Sequence, residues 1–338
     1  MKNKRFAFAL AAFIMLNLIA CNGDKGILPS STGKEGELLL IVDEKYWHHS
    51  IGDTLRQYLL QDYPALPQSE PLFRLYKIFP KNFTRSFKTN KNILIIHIDP
   101  TRPINDPLLE IGYDNWAKDQ LAIKLTCHNP DEFFDAFRQK RQRIIELFRQ
   151  KDLERYQKKF KQTSSVELSK HVREKMNISL PIPDGFYVSR EDSNFVYLSH
   201  DAMKKIGGLQ HQITRGIMIY SFPYTDPSTF TTRFVNHLRD SLTQRYVEGS
   251  AENSYMIIEQ LYSPDSASTA IQNKYALETR GLWRMENYFM GGPFINYITL
   301  DEPNNRIIML DGFIFAPRFD KRDYIIQMEA LLKMMSPS

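Results

Sequence analysis

The chain has 338 residues, 42% of them hydrophobic and 12% aromatic, a composition that fits a packed globular protein and excludes a disordered stalk. Its 44 Lys and Arg against 39 Asp and Glu give a net charge of +5, but Lys2, Lys4 and Arg5 lie in an N-terminal segment of the removable kind, and without them the excess is near +2. So small an excess does not recommend a nucleic-acid partner, and two cysteines, Cys21 and Cys127, cannot build a disulfide framework.

The first segment is basic, then apolar: from Phe6 to Ala20 the only polar residue is Asn17. A run of about fifteen apolar residues is short of the roughly 20 that span a bilayer, so it reads as the core of a secretory signal. Leu18-Ile19-Ala20-Cys21 then resembles the lipobox of a bacterial lipoprotein. Residues 1–20 are expected to be a signal peptide, Cys21 the lipidated residue, and residues 21–36, rich in Gly, Ser and Lys, a flexible tether. The Gly33-Lys34 pair in this stretch lacks the Ser or Thr and the upstream glycine of a phosphate loop.

Strands are expected at Glu37–Asp43, Leu72–Phe79, Asn92–Asp99 and Gln120–Cys127, with a helix from Ser50 as its cap through Tyr58 and Leu60. Cys127, in an alternating run, is expected to be a buried small hydrophobe. Asn129-Pro130-Asp131-Glu132 has the order cap, proline, acids that opens a helix. Apolar residues at Phe133, Phe137, Ile144, Phe148, Tyr156 and Phe160 carry that helix to about Lys161. Ten Lys or Arg and three acids lie between Arg138 and Lys161, as on a solvated surface helix or on a face turned to anionic lipid. Ser164 with Glu167 suggests a capping box for a second helix through Met176.

Pro181-x-Pro183-Asp184-Gly185 separates an N-terminal half, 37–176, from a β-richer C-terminal half, 177–338. Strands are expected there at Phe186–Ser189, Phe195–Ser199, Arg215–Ser221, Tyr255–Leu261 and Tyr275–Trp283, with a helix at about Ser228–Arg245. Phe294–Leu300 and Arg306–Phe315, joined by Asp301-Glu-Pro-Asn-Asn305, form a hairpin. Asp320 is expected to cap a last amphipathic helix. Strands and helices mix without βαβ regularity, so the fold class is α+β, with largely antiparallel sheets and the two halves joined by the long basic helix.

The chain has no G-x-S-x-G, H-E-x-x-H, C-x-x-C or G-x-G-x-x-G. No residue is singled out as catalytic, no metal-ligand set is found and no cofactor is implied. The adjacent His48 and His49 would point to opposite faces of an extended chain. The densest polar cluster is Glu278, Arg280, Trp283, Arg284 and Glu286, just before Met290-Gly291-Gly292-Pro293-Phe294. In a strand, Glu278, Arg280 and Arg284 share a face; Arg can fork onto a carboxylate and Trp offers a stacking surface, so a glycan, peptide or anionic ligand could dock. The same residues fit a cross-strand ion pair beside a core tryptophan, with the glycines in a bulge or tight turn.

The run Leu66-Pro67-Gln68-x-Glu70-Pro71-x-Phe73, with Arg280-Gly281-Leu282-Trp283, Met290-Gly291-Gly292-Pro293-Phe294 and Gly312-Phe313-x-x-Ala316-Pro317-x-x-x-Lys321-Arg322, resembles a family of Bacteroidetes envelope lipoproteins catalogued as domain of unknown function 4837. The resemblance implies a lipobox start and one unit across nearly the whole mature chain, and brings no reaction or ligand. The expectation is therefore a cell-envelope protein held to the membrane by its N-terminal lipid, non-enzymatic, with an envelope protein or glycan as partner. Asn22-Gly23-Asp24-Lys25 has a single acid where a surface-export signal would have a run, which favours the outer membrane facing the periplasm over the outer surface. The alternative is an envelope hydrolase using Glu278, Glu286 or an aspartate of the last hairpin on glycan or peptide.

Overall fold

A computed structural model describes residues 28–338, so the expected signal peptide and Cys21 lie outside the described residues. In chain order the elements are β1 (Glu37–Ile41), α1 (Glu44–Trp47), α2 (Ser50–Leu59), β2 (Arg74–Ile78), α3 (Arg85–Lys88), β3 (Asn92–Ile98), β4 (Leu108–Tyr113), β5 (Leu121–Cys127), α4 (Pro130–Gln162) and α5 (Val166–Met176). Then come β6 (Ile178–Ser179), β7 (Tyr187–Asp192), β8 (Phe195–Ile206), β9 (Leu209–Pro223), α6 (Thr232–Tyr246), β10 (Met256–Ile258), β11 (Asp265–Ile271) and β12 (Lys274–Met285). The last are β13 (Gly291–Asp301), β14 (Arg306–Phe315), α7 (Arg322–Leu332) and β15 (Ser336–Pro337).

The fold class is α+β, and the strand pairing is mostly antiparallel. The exception is the first sheet, ordered β2-β1-β3-β5-β4, in which the first four strands are parallel and β4 alone runs against its neighbour. The second sheet, β10-β12-β13-β14-β9-β8-β7 with β11 also on β12, is antiparallel throughout. Its central strands are covered on both faces. From β14, Ile308, Leu310 and Ile314 enter the main core, while Ile307, Met309 and Phe313 enter a second core beneath α6. That double burial is why β14 reads as a nearly unbroken apolar run.

Helix α4 begins as its sequence directs: the Asn129 side chain accepts the Glu132 N–H at 2.9 Å and Pro130 occupies the first turn. One face of it is solvated, with Arg138, Arg143, Lys159 and Lys161 exposed, and the other is buried. It packs against β5, β3, α2 and α7, and its buried stripe of Phe133, Phe137, Ile144 and Phe148 continues into Asp152 and Arg155. Asp152 accepts from the Gly36 N–H at 2.8 Å and from Asn92 Nδ2 at 3.0 Å, and Arg155 donates to the carbonyls of Lys91 and Asp119. Two of the charges thus fasten the chain's entry into the first sheet. Of the rest, Arg141 lies 4.2 Å over the Tyr58 ring, Arg149 turns toward Glu329, and Lys158 pairs with Asp119 at 2.7 Å.

The same fastening corrects the tether. Residues 29–36, expected to hang free, are laid along the first sheet: Lys118 donates to the Pro29 carbonyl, Thr32 donates to that of Thr89, and Lys91 donates to that of Thr32.

Two helix starts move for tertiary reasons. The Ser165 side chain, not that of Ser164, caps α5, accepting the Leu168 N–H at 3.2 Å, while Ser164 is drawn into a backbone bridge with Pro183 ahead of the helix. Asp320 does not cap α7; the Glu70 carboxylate, from a distant loop, accepts the Lys321 N–H at 2.6 Å and the Arg322 N–H at 2.9 Å. Ser50 is already inside α2, whose cap position is His49. The hairpin of β13 and β14 forms as expected, with Asn305 left-handed at its turn.

Cys127 has no exposed surface, and burial pushes its thiol up to about 12. Iodoacetamide at pH 8 is expected to leave the folded protein unlabelled at Cys127 and to alkylate it in urea. Peptide mass spectrometry checks this, and rapid labelling of the native protein would contradict the packing around β5.

Candidate functional site

Alternation along β12 and depth of burial divide the polar cluster foreseen from the sequence into three groups. Glu278 and Arg280 point into the main core. Glu278 accepts Arg280 Nε at 2.6 Å and the Tyr297 hydroxyl at 2.8 Å. Arg280 donates through Nη2 to Glu329 at 2.7 Å and through Nη1 to the Tyr63 hydroxyl at 3.0 Å, and that hydroxyl in turn donates to Glu329 at 3.1 Å. Arg149 and Lys333 each approach Glu329 to 3.4 Å. Burial by itself would raise the Glu329 pKa, but Arg280, Arg149 and Lys333 outweigh it and hold the carboxyl well below the usual range. These side chains are engaged with one another. They join α4 and the loop after α2 to β12 and α7, and none is free for a ligand.

Trp283 faces the other way, only 2% exposed, edge-on to Phe313 with ring centres 5.6 Å apart and its indole N–H donated to the Ile314 carbonyl. Its face is therefore not an open stacking platform. Gly292 belongs to this packing. A Cβ there would come within 2.0 Å of the Ile314 oxygen, so the glycine serves close approach of β13 to the strand beside it and not a turn. Arg284 and Glu286, the third group, form a half-exposed ion pair at 2.8 Å.

That third group stands at the edge of a cleft of about 700 Å³, within the range of small-ligand sites. Its floor is Leu282, Trp283, Met285 and the backbone of Gly291 and Gly292. One wall is formed by Tyr262, Tyr288, Phe289 and Met290, the other by Pro67, Gln68, Pro317 and Lys321. The second wall comes from two distant parts of the chain, which Glu70 holds together by capping α7 next to Lys321, while Lys321 Nζ donates to Gln68 Oε1 at 2.8 Å. Asn287, left-handed, turns the chain so that Phe289 is fully exposed, with Tyr262 and Tyr288 more than 40% exposed beside it. Exposed aromatics around a concave site are costly unless something covers them. The sequence reading passed over them; the signal was Tyr288-Phe289-Met290, three large apolar residues where a connection would be polar.

The acids considered for hydrolysis are each occupied. Glu278 is locked as described. Asp301 accepts Arg306 Nε at 2.8 Å, and Asp311, fully buried in mid-strand and not in the turn, pairs with Arg239 at 2.9 Å. Glu286 faces Arg284. Among the described residues, no group of three or more His, Cys, Asp or Glu could hold a metal ion, and His48 and His49 are both exposed between short helices. No described helix is long and apolar enough to cross a membrane.

A family model described as domain of unknown function 4837 matches residues 165–334. The chain belongs to that family. The match covers α5 to the end of α7, including every strand of the second sheet and most of the cleft. Residues 31–161, which carry the Pro67-Gln68 wall and Glu70, match a second model, domain of unknown function 8532. No curated protein matches the chain. Among solved structures, the Ran-binding protein Mog1p of Saccharomyces cerevisiae is 8% identical, the match covering 48% of this chain and 90% of that one at a TM-score of 0.31. A mutant form of protein Mog1 is 11% identical with the same coverage and a TM-score of 0.28. Likeness at that level bears on neither fold nor function here.

Proposed function

We propose that this member of the family is a lipid-anchored cell-envelope protein that binds another envelope component, a protein or a glycan, through the cleft beside β12, without transforming it. The observation that carries the reading is the ring of exposed aromatics, Phe289, Tyr288 and Tyr262, around a concave floor whose backbone is fixed by Trp283 and Gly292. Rigid aromatic side chains give large contact area at low entropic cost. The acids invoked for hydrolysis are ion-paired or hydrogen-bonded in place, which favours binding over catalysis. Anchoring rests on the Cys21 lipobox, and the single acid at Asp24 favours the periplasmic face of the outer membrane.

Photo-crosslinking in intact cells tests this, with the reactive residue at position 289 and, as comparison, at the exposed position of Val166 on α5. A discrete adduct from position 289 that position 166 does not give is the expected result. Identical adducts from both, or none from 289, would sink the cleft as a binding surface. Fractionation of a Cys21→Ala variant tests the anchor separately: release from the membrane fraction is expected, and an unchanged distribution would remove lipidation from the reading.

A further inference from the structure

At the mouth of the cleft Arg284 is matched by Glu286, and Glu259, whose Oε1 accepts the Leu261 N–H at 3.0 Å, also lines it. One cation in it has no carboxylate partner. Lys321 is only 3% exposed, lines the cleft, and directs Nζ at two neutral acceptors, Gln68 Oε1 at 2.8 Å and the Phe319 carbonyl at 2.9 Å. An ammonium has three donors, so one remains. Among the described residues no carboxylate comes within ion-pair distance of it; Glu70 is close, but its two oxygens are engaged by the backbone N–H groups of Lys321 and Arg322. Burial lowers the Lys321 pKa, with Glu70 and Asp320 acting against it. A buried cation held by neutral groups is costly to a fold and gains much from an anion that reaches it.

We infer that Lys321 is the anchor for a carboxylate, and that the cleft takes a ligand with a carboxylate head and an apolar body lying against Phe289 and Tyr288. This rests on the reading of the cleft as a binding site. The carboxylate is supplied by a free organic acid or by the C-terminus of a peptide, and the same chemistry recognises both.

Tryptophan fluorescence titrations of the purified full chain test the inference, with 4-phenylbutyrate against 4-phenylbutanol, and acetyl-Ala-Ala-Phe against its amide. In each pair the acid is expected to bind about tenfold more tightly or better, as a charge-assisted hydrogen bond requires. The pair showing the tighter acid identifies the source. Lys321→Met should erase the preference and Lys321→Arg should retain it. Phe289→Ala, at a fully exposed position that the fold does not need, should weaken acid and neutral forms alike. Acids that bind no better than their neutral partners, or a preference that survives Lys321→Met, would overturn the assignment. Should position 289 crosslink specifically while acids and neutral forms bind alike, the cleft stands as a binding site and only the role of Lys321 falls.

Discussion

Glu329→Gln is expected to lower the stability of the protein by about 3–5 kcal/mol, the cost of removing one partner from a buried ion pair. Glu329 is the point where Arg280, Arg149, Lys333 and the Tyr63 hydroxyl converge, and its side chain is 4% exposed. Without its charge, three cations are left with only Glu278 among them. Glu286→Gln at the half-exposed Arg284 pair is the matched control and should cost no more than about 1 kcal/mol. Urea denaturation at pH 7 measures both. The pH dependence has a defined sign. A carboxyl whose folded pKa is depressed contributes stability that is present above its unfolded value and is lost as pH falls toward the folded one. The gap between wild type and Glu329→Gln should therefore be constant from pH 7 to 5 and narrow from about pH 4.3 downward. A gap that stays unchanged to pH 3 would mean that Glu329 ionises alike in the folded and unfolded chains.

The second large effect concerns Arg239 and Asp311, both with no exposed side-chain surface. Arg239 from α6 forks onto Asp311 of β14 through Nε at 2.9 Å and Nη2 at 3.4 Å, lies 3.9 Å over the Phe294 ring, and shares Asp311 with Asn296. Asp311→Leu should cost about 3–5 kcal/mol, since it strands a guanidinium inside the second core. The double variant Asp311→Leu with Arg239→Met should recover more than half of that loss. A buried pair exchanged for apolar residues of similar volume is often nearly neutral, and what remains is the unpaired Asn296 amide. Equal losses in single and double variants would show that the pair itself, not the stranded charge, stabilises the fold. Melting temperatures of the three proteins decide between these outcomes.

What could be read from the sequence was whatever local chemistry imposes. Asn129-Pro130 starts a helix wherever it is placed, because it satisfies the first-turn donors by itself. The five residues Asp301–Asn305 turn a hairpin for equally local reasons. The central strands were legible because their apolar runs answer to burial on both faces. Strands whose partners are polar or exposed were not. β4, with Gly112 and mostly open side chains, and β11, of Asp, Ser, Ala and Thr up to its one buried residue Ile271, pair only at sheet edges. The outer half of the β8–β9 hairpin is held by backbone pairing up to the left-handed Gly207-Gly208 turn, and its side chains carry no burial pattern.

The site depended on tertiary structure for the same reason. Period two along β12 told correctly that Glu278, Arg280 and Arg284 share a face, but not what each would meet along it. Tyr63, Arg149 and Glu329 come from far along the chain to enclose the first two, and the third is left at the surface. The basic run of α4 likewise signalled the solvated face that Arg138, Arg143, Lys159 and Lys161 form, but not that Asp152 and Arg155 are drawn inward by the Gly36 N–H and the Lys91 carbonyl at the entry to the first sheet. Sequence by itself determined the elements whose hydrogen bonds close within a few residues, the fold class and the family. Tertiary structure decided which charges are buried, which aromatics are left open, and that Glu70 caps a helix some 250 residues away. A long-range partner satisfies a donor or neutralises a charge as well as a local one does, and nothing in the local sequence marks where it will come from.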